Sequence, residues 1–167
     1  MENQSHKELF SWFHWDALAI IITLVYNAII ITCGICAFRD SVLIAAILMI
    51  CVFVLPILFM PLSLRVLEND VKIFRLIGRV RISLCDIKSV SIIENDERFF
   101  NKLIRTCGSG GAYGYWGFFK HEKHGKVRMF VTDREQCFLI KCNDGKIFVV
   151  SSPKRQEIVD YLYSNLK

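Results

Sequence analysis

Few residues in this chain have the types and spacing that chemistry requires. Cys33 and Cys36 stand three apart, a C-x-x-C pair that one face of a helix would hold as a thiol couple. No neighbouring side chain would lower a thiol pKa there, and cysteine often serves apolar helices as a small packing residue. His121-Glu122-Lys123-His124 offers two imidazoles. A zinc site takes three or four ligands and two adjacent lysines oppose a cation, so a solvated loop is expected. Gly108, Gly110 and Gly114 do not fit G-x-G-x-x-G, and no Gly-Lys-Ser/Thr follows them, so a phosphate loop is not spelled out. No Ser, His and Asp assemble into a triad by spacing. The chain therefore reads as a non-enzyme, with no catalytic residue, metal site or cofactor assigned.

One constellation remains. Residues 98–134 carry eight Lys or Arg against Glu122 and Asp133, a net +6, interleaved with aromatic residues. Phe99, Phe100, Leu103 and Ile104 recur at helical spacing with Arg98, Lys102 and Arg105 between them, which predicts a short amphipathic basic helix. The segment Gly108–Phe119 that follows, rich in glycine and aromatics, suits neither an alternating strand nor a helix. Arg98, Phe99, Lys102, Arg105, Tyr113, Tyr115, Trp116 and Lys120 together form a candidate membrane or partner surface, its rings at the headgroup boundary of an anionic leaflet. The competing reading buries the aromatics in a core, leaves the charges merely solvated, and lets the glycines fold aromatic side chains back over a sheet edge. Nucleic acid is a poor match, because no RNP-like strand pattern appears.

The elements that must position this surface begin with two apolar runs. The chain has 167 residues, is 53% hydrophobic and has a mean hydropathy of +0.38, above the norm for soluble proteins. The excess lies in 17–38 and 41–64, runs of 22 and 24 residues free of charge and separated by Arg39 and Asp40. At about 1.5 Å per residue either run exceeds the roughly 30 Å of a hydrocarbon core. The 103 residues from 65 to 167 could not wrap two such helices. A cleaved signal peptide fits poorly, because residues 1–16 are polar rather than basic. Trp12 and Trp15 sit where indole rings favour the headgroups.

Two transmembrane helices, 17–38 and 41–64, are therefore expected as a hairpin, with Thr23, Asn27 and Thr32 able to face the partner helix and Pro56 and Pro61 bending the second. Residues 1–16 and 65–167 then share one side. Only Arg39 lies in the turn, whereas Arg65, Lys72 and Arg75 follow the second run closely, which puts both termini in the cytoplasm of a multi-pass cell-membrane protein. Residues 65–167 carry a net +7, which draws them toward anionic lipid. Seven cysteines, three of them inside the runs, argue against a disulfide framework.

Beyond Leu64 the pattern alternates. Leu64–Leu67 and Val71–Leu76 flank the turn Glu68-Asn69-Asp70; Val80, Ile82 and Leu84 alternate with basic residues; Ser89–Ile93 follows. After the glycine-aromatic segment come Lys126–Thr132, Cys137–Cys142 and Lys146–Ser151, the last pair joined through Asp144-Gly145. A closing helix takes Ser152 as N-cap and Pro153 in its first turn, with Ile158, Val159, Leu162 and Leu166 on one face.

About seven short strands and one C-terminal helix follow the order of a pleckstrin-homology domain. Arg105–Phe119, Val131-Thr132-Asp133 and Ser151-Ser152-Pro153 together resemble a bacterial PH-domain family in which two membrane spans precede the barrel, and the likeness covers essentially residues 41–167. The resemblance implies an α+β chain: a transmembrane α-helical hairpin followed by a PH-like antiparallel β-barrel or sandwich capped by a C-terminal α-helix. It also implies a non-catalytic, membrane-anchored interaction module that binds a protein partner, itself as a homo-oligomer, or anionic lipid headgroups. The phosphoinositide site of eukaryotic relatives is not carried over, because the first turn, Leu67-Glu68-Asn69-Asp70, is acidic. Competing readings are a small membrane enzyme or thiol-redox component using Cys33 and Cys36, and an accessory subunit of a transporter.

Overall fold

A computed structural model describes residues 9–39, 43–94 and 97–166, with the backbone alone at 43, 46, 97 and 98. Arg39 closes the first helix, while Asp40 and residues 1–8 lie outside the described residues. The order is β1 (Leu9–Trp12), α1 (Ala17–Arg39), α2 (Leu43–Phe59), β2 (Pro61–Val66), β3 (Asp70–Arg75), β4 (Arg79–Ser83), β5 (Ile87–Ile92), α3 (Glu97–Asn101), β6 (Leu103–Gly111), β7 (Gly114–His121), β8 (Gly125–Val131), β9 (Cys137–Cys142), β10 (Ile147–Ser151) and α4 (Arg155–Asn165).

The apolar runs form antiparallel helices tied by the Tyr26 hydroxyl, which donates to the Val52 carbonyl at 2.6 Å. Their outer faces stay bare: Ile21, Leu24, Ile35 and Phe38 on α1, and Ile44, Leu48 and Ile50 on α2, are each more than half exposed. Of the described helices, α1 alone is long and apolar enough to cross a membrane. The second run is shorter than its hydropathy suggests. Its helix stops after 17 residues at Phe59, and Pro61–Leu64 open β2 instead, because Pro61 lacks the N–H that another helical turn would use.

The strands build two sheets, ordered β1-β2-β3-β4 and β5-β9-β10-β8-β7-β6. Among the described residues no barrel closes, and the arrangement is not wholly antiparallel, since β10 runs parallel to β8 with Val149 opposite Met129. The Asp144-Gly145 hairpin inserts β10 between β9 and β8, and that insertion forces the parallel pair. Leu64, Val71, Ile73, Phe130, Phe138, Ile140, Val150, Ile158 and Leu162 fill one core between the sheets and α4. Met129, Cys137, Leu139 and Val149 point the other way, into a second core that reaches Ala19 on α1 and Phe99 on α3. The six-stranded sheet is thus covered on both faces, which is why Phe138-Leu139-Ile140 and Phe148-Val149-Val150 are apolar without alternation.

Two expectations for 98–119 are corrected. The basic helix is one short turn, Glu97–Asn101, and from Leu103 the chain extends into β6. The glycine-aromatic segment is the hairpin β6–β7, with Gly108 opposite Gly117. Both glycines have positive φ, and a Cβ on either would lie 2.1–2.2 Å from a carbonyl oxygen across the hairpin, so glycine is required for the strands to close. Periodicity was the wrong guide there, because glycine has no side chain to alternate.

α4 begins later than its sequence signals suggest. Lys154 is the N-cap, while the Ser152 hydroxyl accepts from the Lys154 N–H at 3.1 Å and bonds Ser11 at 2.8 Å. The first strand was unforeseen in a polar leader: Leu9 pairs with Val66 and Trp12 with Ser63, adding β1 to the sheet that α2 leads into.

Candidate functional site

The site is built where the six-stranded sheet meets the start of α1. Asp16 caps that helix, accepting from the Ala19 N–H at 2.6 Å and from the Arg134 N–H at 3.3 Å. The Asp16 N–H donates to the Thr132 carbonyl at 2.9 Å, and the Thr132 N–H donates to the Ser151 hydroxyl at 2.9 Å. Thr132, Ser151 and Ser152 are almost wholly buried. Two of the three segments that carry the family likeness, Val131-Thr132-Asp133 and Ser151-Ser152-Pro153, therefore clamp the leader that runs into α1.

The third segment docks against the same helix further along. At the tip of β6–β7, the Tyr113 N–H donates to Thr23 Oγ1 at 2.8 Å and its hydroxyl to Asn27 Oδ1 at 2.7 Å. Tyr113 holds φ 56°, and its ring meets Trp15 and Tyr26 edge-on. Thr23 and Asn27, expected to face the second helix, instead face this hairpin, and Thr32 bonds back to the Ala28 carbonyl at 2.8 Å. Trp116 packs on Phe59, the last residue of α2, at 6.0 Å between rings.

The eight residues of the expected surface are divided by this fold. Phe99, Tyr113 and Tyr115 are buried, and Trp116 is half-buried. Lys102, Arg105 and Lys120 are exposed, with Lys102 paired to Glu122 at 2.9 Å. The Arg98 side chain lies outside the described residues. Arg134, which sequence reasoning did not single out, stands over the Tyr115 ring at 5.3 Å and 3.6 Å from the Asp16 carboxylate. The unbroken apolar runs of β9 and β10 were the signal that a second face existed for it to line.

In the 121–124 turn Glu122 and Lys123 are exposed, as a solvated loop requires, but the two imidazoles fold inward. His121 is 3% exposed, stacked on Phe99 at 4.6 Å and 4.8 Å from the His124 ring. His121 Nδ1 accepts from the Lys123 and His124 backbone N–H groups, which puts the ring proton on Nε2. Burial lowers both histidine pKa values, and Lys102 adds to this at His121. Among the described residues no three His, Cys, Asp or Glu gather as a metal site. Cys33 and Cys36 are free thiols on the exposed face of α1.

The model of the family described as "Bacterial PH domain" matches residues 62–165, more than half of the chain. The chain belongs to the bacterial PH-domain family. No curated protein and no solved structure matches it. PH domains are generally non-catalytic interaction modules. In this one the matched strands begin directly after α2, which ends at Phe59 just before β2 opens at Pro61.

Proposed function

We propose that this bacterial PH domain is a membrane-anchored interaction module that α1 and α2 together hold at the inner surface of the cell membrane. One observation carries the reading: β1, before α1, pairs with β2, after α2. A chain that leaves one sheet and returns to it crosses a bilayer an even number of times. With α1 long enough to span, α2 is the return. Its 17 residues cover about 26 Å, the lower limit for a span. Leu76 and Ile77, each more than half exposed, extend that apolar surface, since the Ile77 N–H donates to the Leu58 carbonyl on the last turn of α2. The bare outer faces of both helices suit lipid and not water. Arg39 alone at the far turn supports cytoplasmic termini.

The module has an edge suited to a protein partner or a second copy. β6 is the outer strand of its sheet, uncharged from Thr106 to Gly111, with Ile104 exposed beside it. The β4 edge carries exposed Arg79 and Arg81, which discourage strand addition. The test is carbonate-washed membranes together with a C-terminal reporter. Retention in the pellet with a cytoplasmic signal is expected; release into the wash, or a reporter active outside the cell, would overturn the reading.

A further inference from the structure

A cavity of about 340 Å³ opens between the second face of the sheet, α3 and the base of β6. Its polar lining is Arg105, Arg134 and Tyr115, over an apolar floor that includes Phe100, Leu103 and Met129; among the described residues no carboxylate lines it, the nearest to Arg134 being Asp16 at 3.6 Å. Tyr115 is 8% exposed, yet its hydroxyl has no hydrogen-bond partner among the described residues. A buried hydroxyl without a partner costs about 1–3 kcal/mol, so such groups normally have one. The Nε of Arg134 is in the same condition, since the Asp16 carboxylate at 3.6 Å is beyond hydrogen-bond reach. Arg105 lies along Gly110, its Nη1 3.3 Å from where a Cβ would stand. That glycine leaves room for the guanidinium to fold over the cavity.

We propose that this cavity is a phosphate site, in which Arg105 and Arg134 clamp the anion and the Tyr115 hydroxyl donates to it. Two guanidinium forks lining one cavity match the oxygens of a phosphate mono- or diester. The location selects the source as well. Arg134 touches Asp16, the cap of α1, so the cavity lies level with the first turn of the spanning helix, where lipid headgroups sit. A phospholipid head and free phosphate share the chemistry, and the assignment rests on the anchored reading above.

The test uses the full chain in nanodiscs of phosphatidylcholine, of phosphatidylcholine with phosphatidylglycerol, and of phosphatidylcholine with added inorganic phosphate. Unfolding midpoints and the lipids retained in native mass spectrometry are read. Phosphatidylglycerol is expected to raise the midpoint and be retained over phosphatidylcholine, whose quaternary ammonium is repelled by the two guanidinium groups, and Tyr115→Phe or Arg105→Gln is expected to weaken this about tenfold. Stabilisation by inorganic phosphate alone, lost in the same variants, assigns the site to free phosphate. An incorporated protein that responds to neither, or variants that respond as the parent does, would overturn the site and leave the anchoring intact. A chain that cannot be incorporated overturns both.

Discussion

Replacing Gly117 by alanine tests how the β6–β7 hairpin reaches α1. At Gly117 φ is +119°, and an added Cβ would stand 2.2 Å from the Cys107 carbonyl oxygen and 2.8 Å from Gly108 Cα. Holding a residue with a side chain in that backbone region costs about 1–3 kcal/mol, and forcing two strands apart adds about 1–3 kcal/mol of overpacking. Gly125 supplies the control, because its φ of +72° is also left-handed but a Cβ there would meet nothing within 4 Å. Gly125→Ala should therefore cost only the backbone part, about 1–2 kcal/mol. Gly117→Ala should unfold below Gly125→Ala by about 2 kcal/mol, or roughly 4–8 °C in thermal midpoint for a chain of this size. Differential scanning fluorimetry in detergent reads this directly, and hydrogen exchange should show Leu103–Gly111 opening first. Equal midpoints for the two variants would mean that the strands do not approach as closely as described, and the steric account of the glycine-aromatic hairpin would be wrong.

Two further outcomes are expected. Tyr113→Phe and Asn27→Leu each break the bond between the hairpin tip and α1, and in a double-mutant cycle read by unfolding they should couple by about 0.5–1.5 kcal/mol; additive effects would detach the tip from the helix. His121 and His124 have folded pKa values below the ordinary 6.5, so the unfolded chain takes up protons that the folded one refuses. Stability should be complete above about pH 6.5 and fall as pH drops toward the lowered values, with His121→Phe flattening the decline; a midpoint that holds steady through this range would refute the burial.

Elements whose signals are local could be read from the residues alone. Two runs without charge became helices, Asp144-Gly145 made its hairpin, and Ile158, Val159 and Leu162 gave α4 its buried face. The segments that carry the family likeness were also legible, though not their job of clamping the leader and docking the hairpin on α1. Features that depend on pairing across long separations emerged only in the folded chain. The polar leader became β1 because β2 offered it an edge more than fifty residues away. Glycines at 108 and 117 could form strands only because each faces the other. Arg105, Tyr115 and Arg134 converge because the sheet is covered on both faces and α1 begins beside the second one. Local pattern reports which side of a strand is apolar, and tertiary packing alone reports what lies against it.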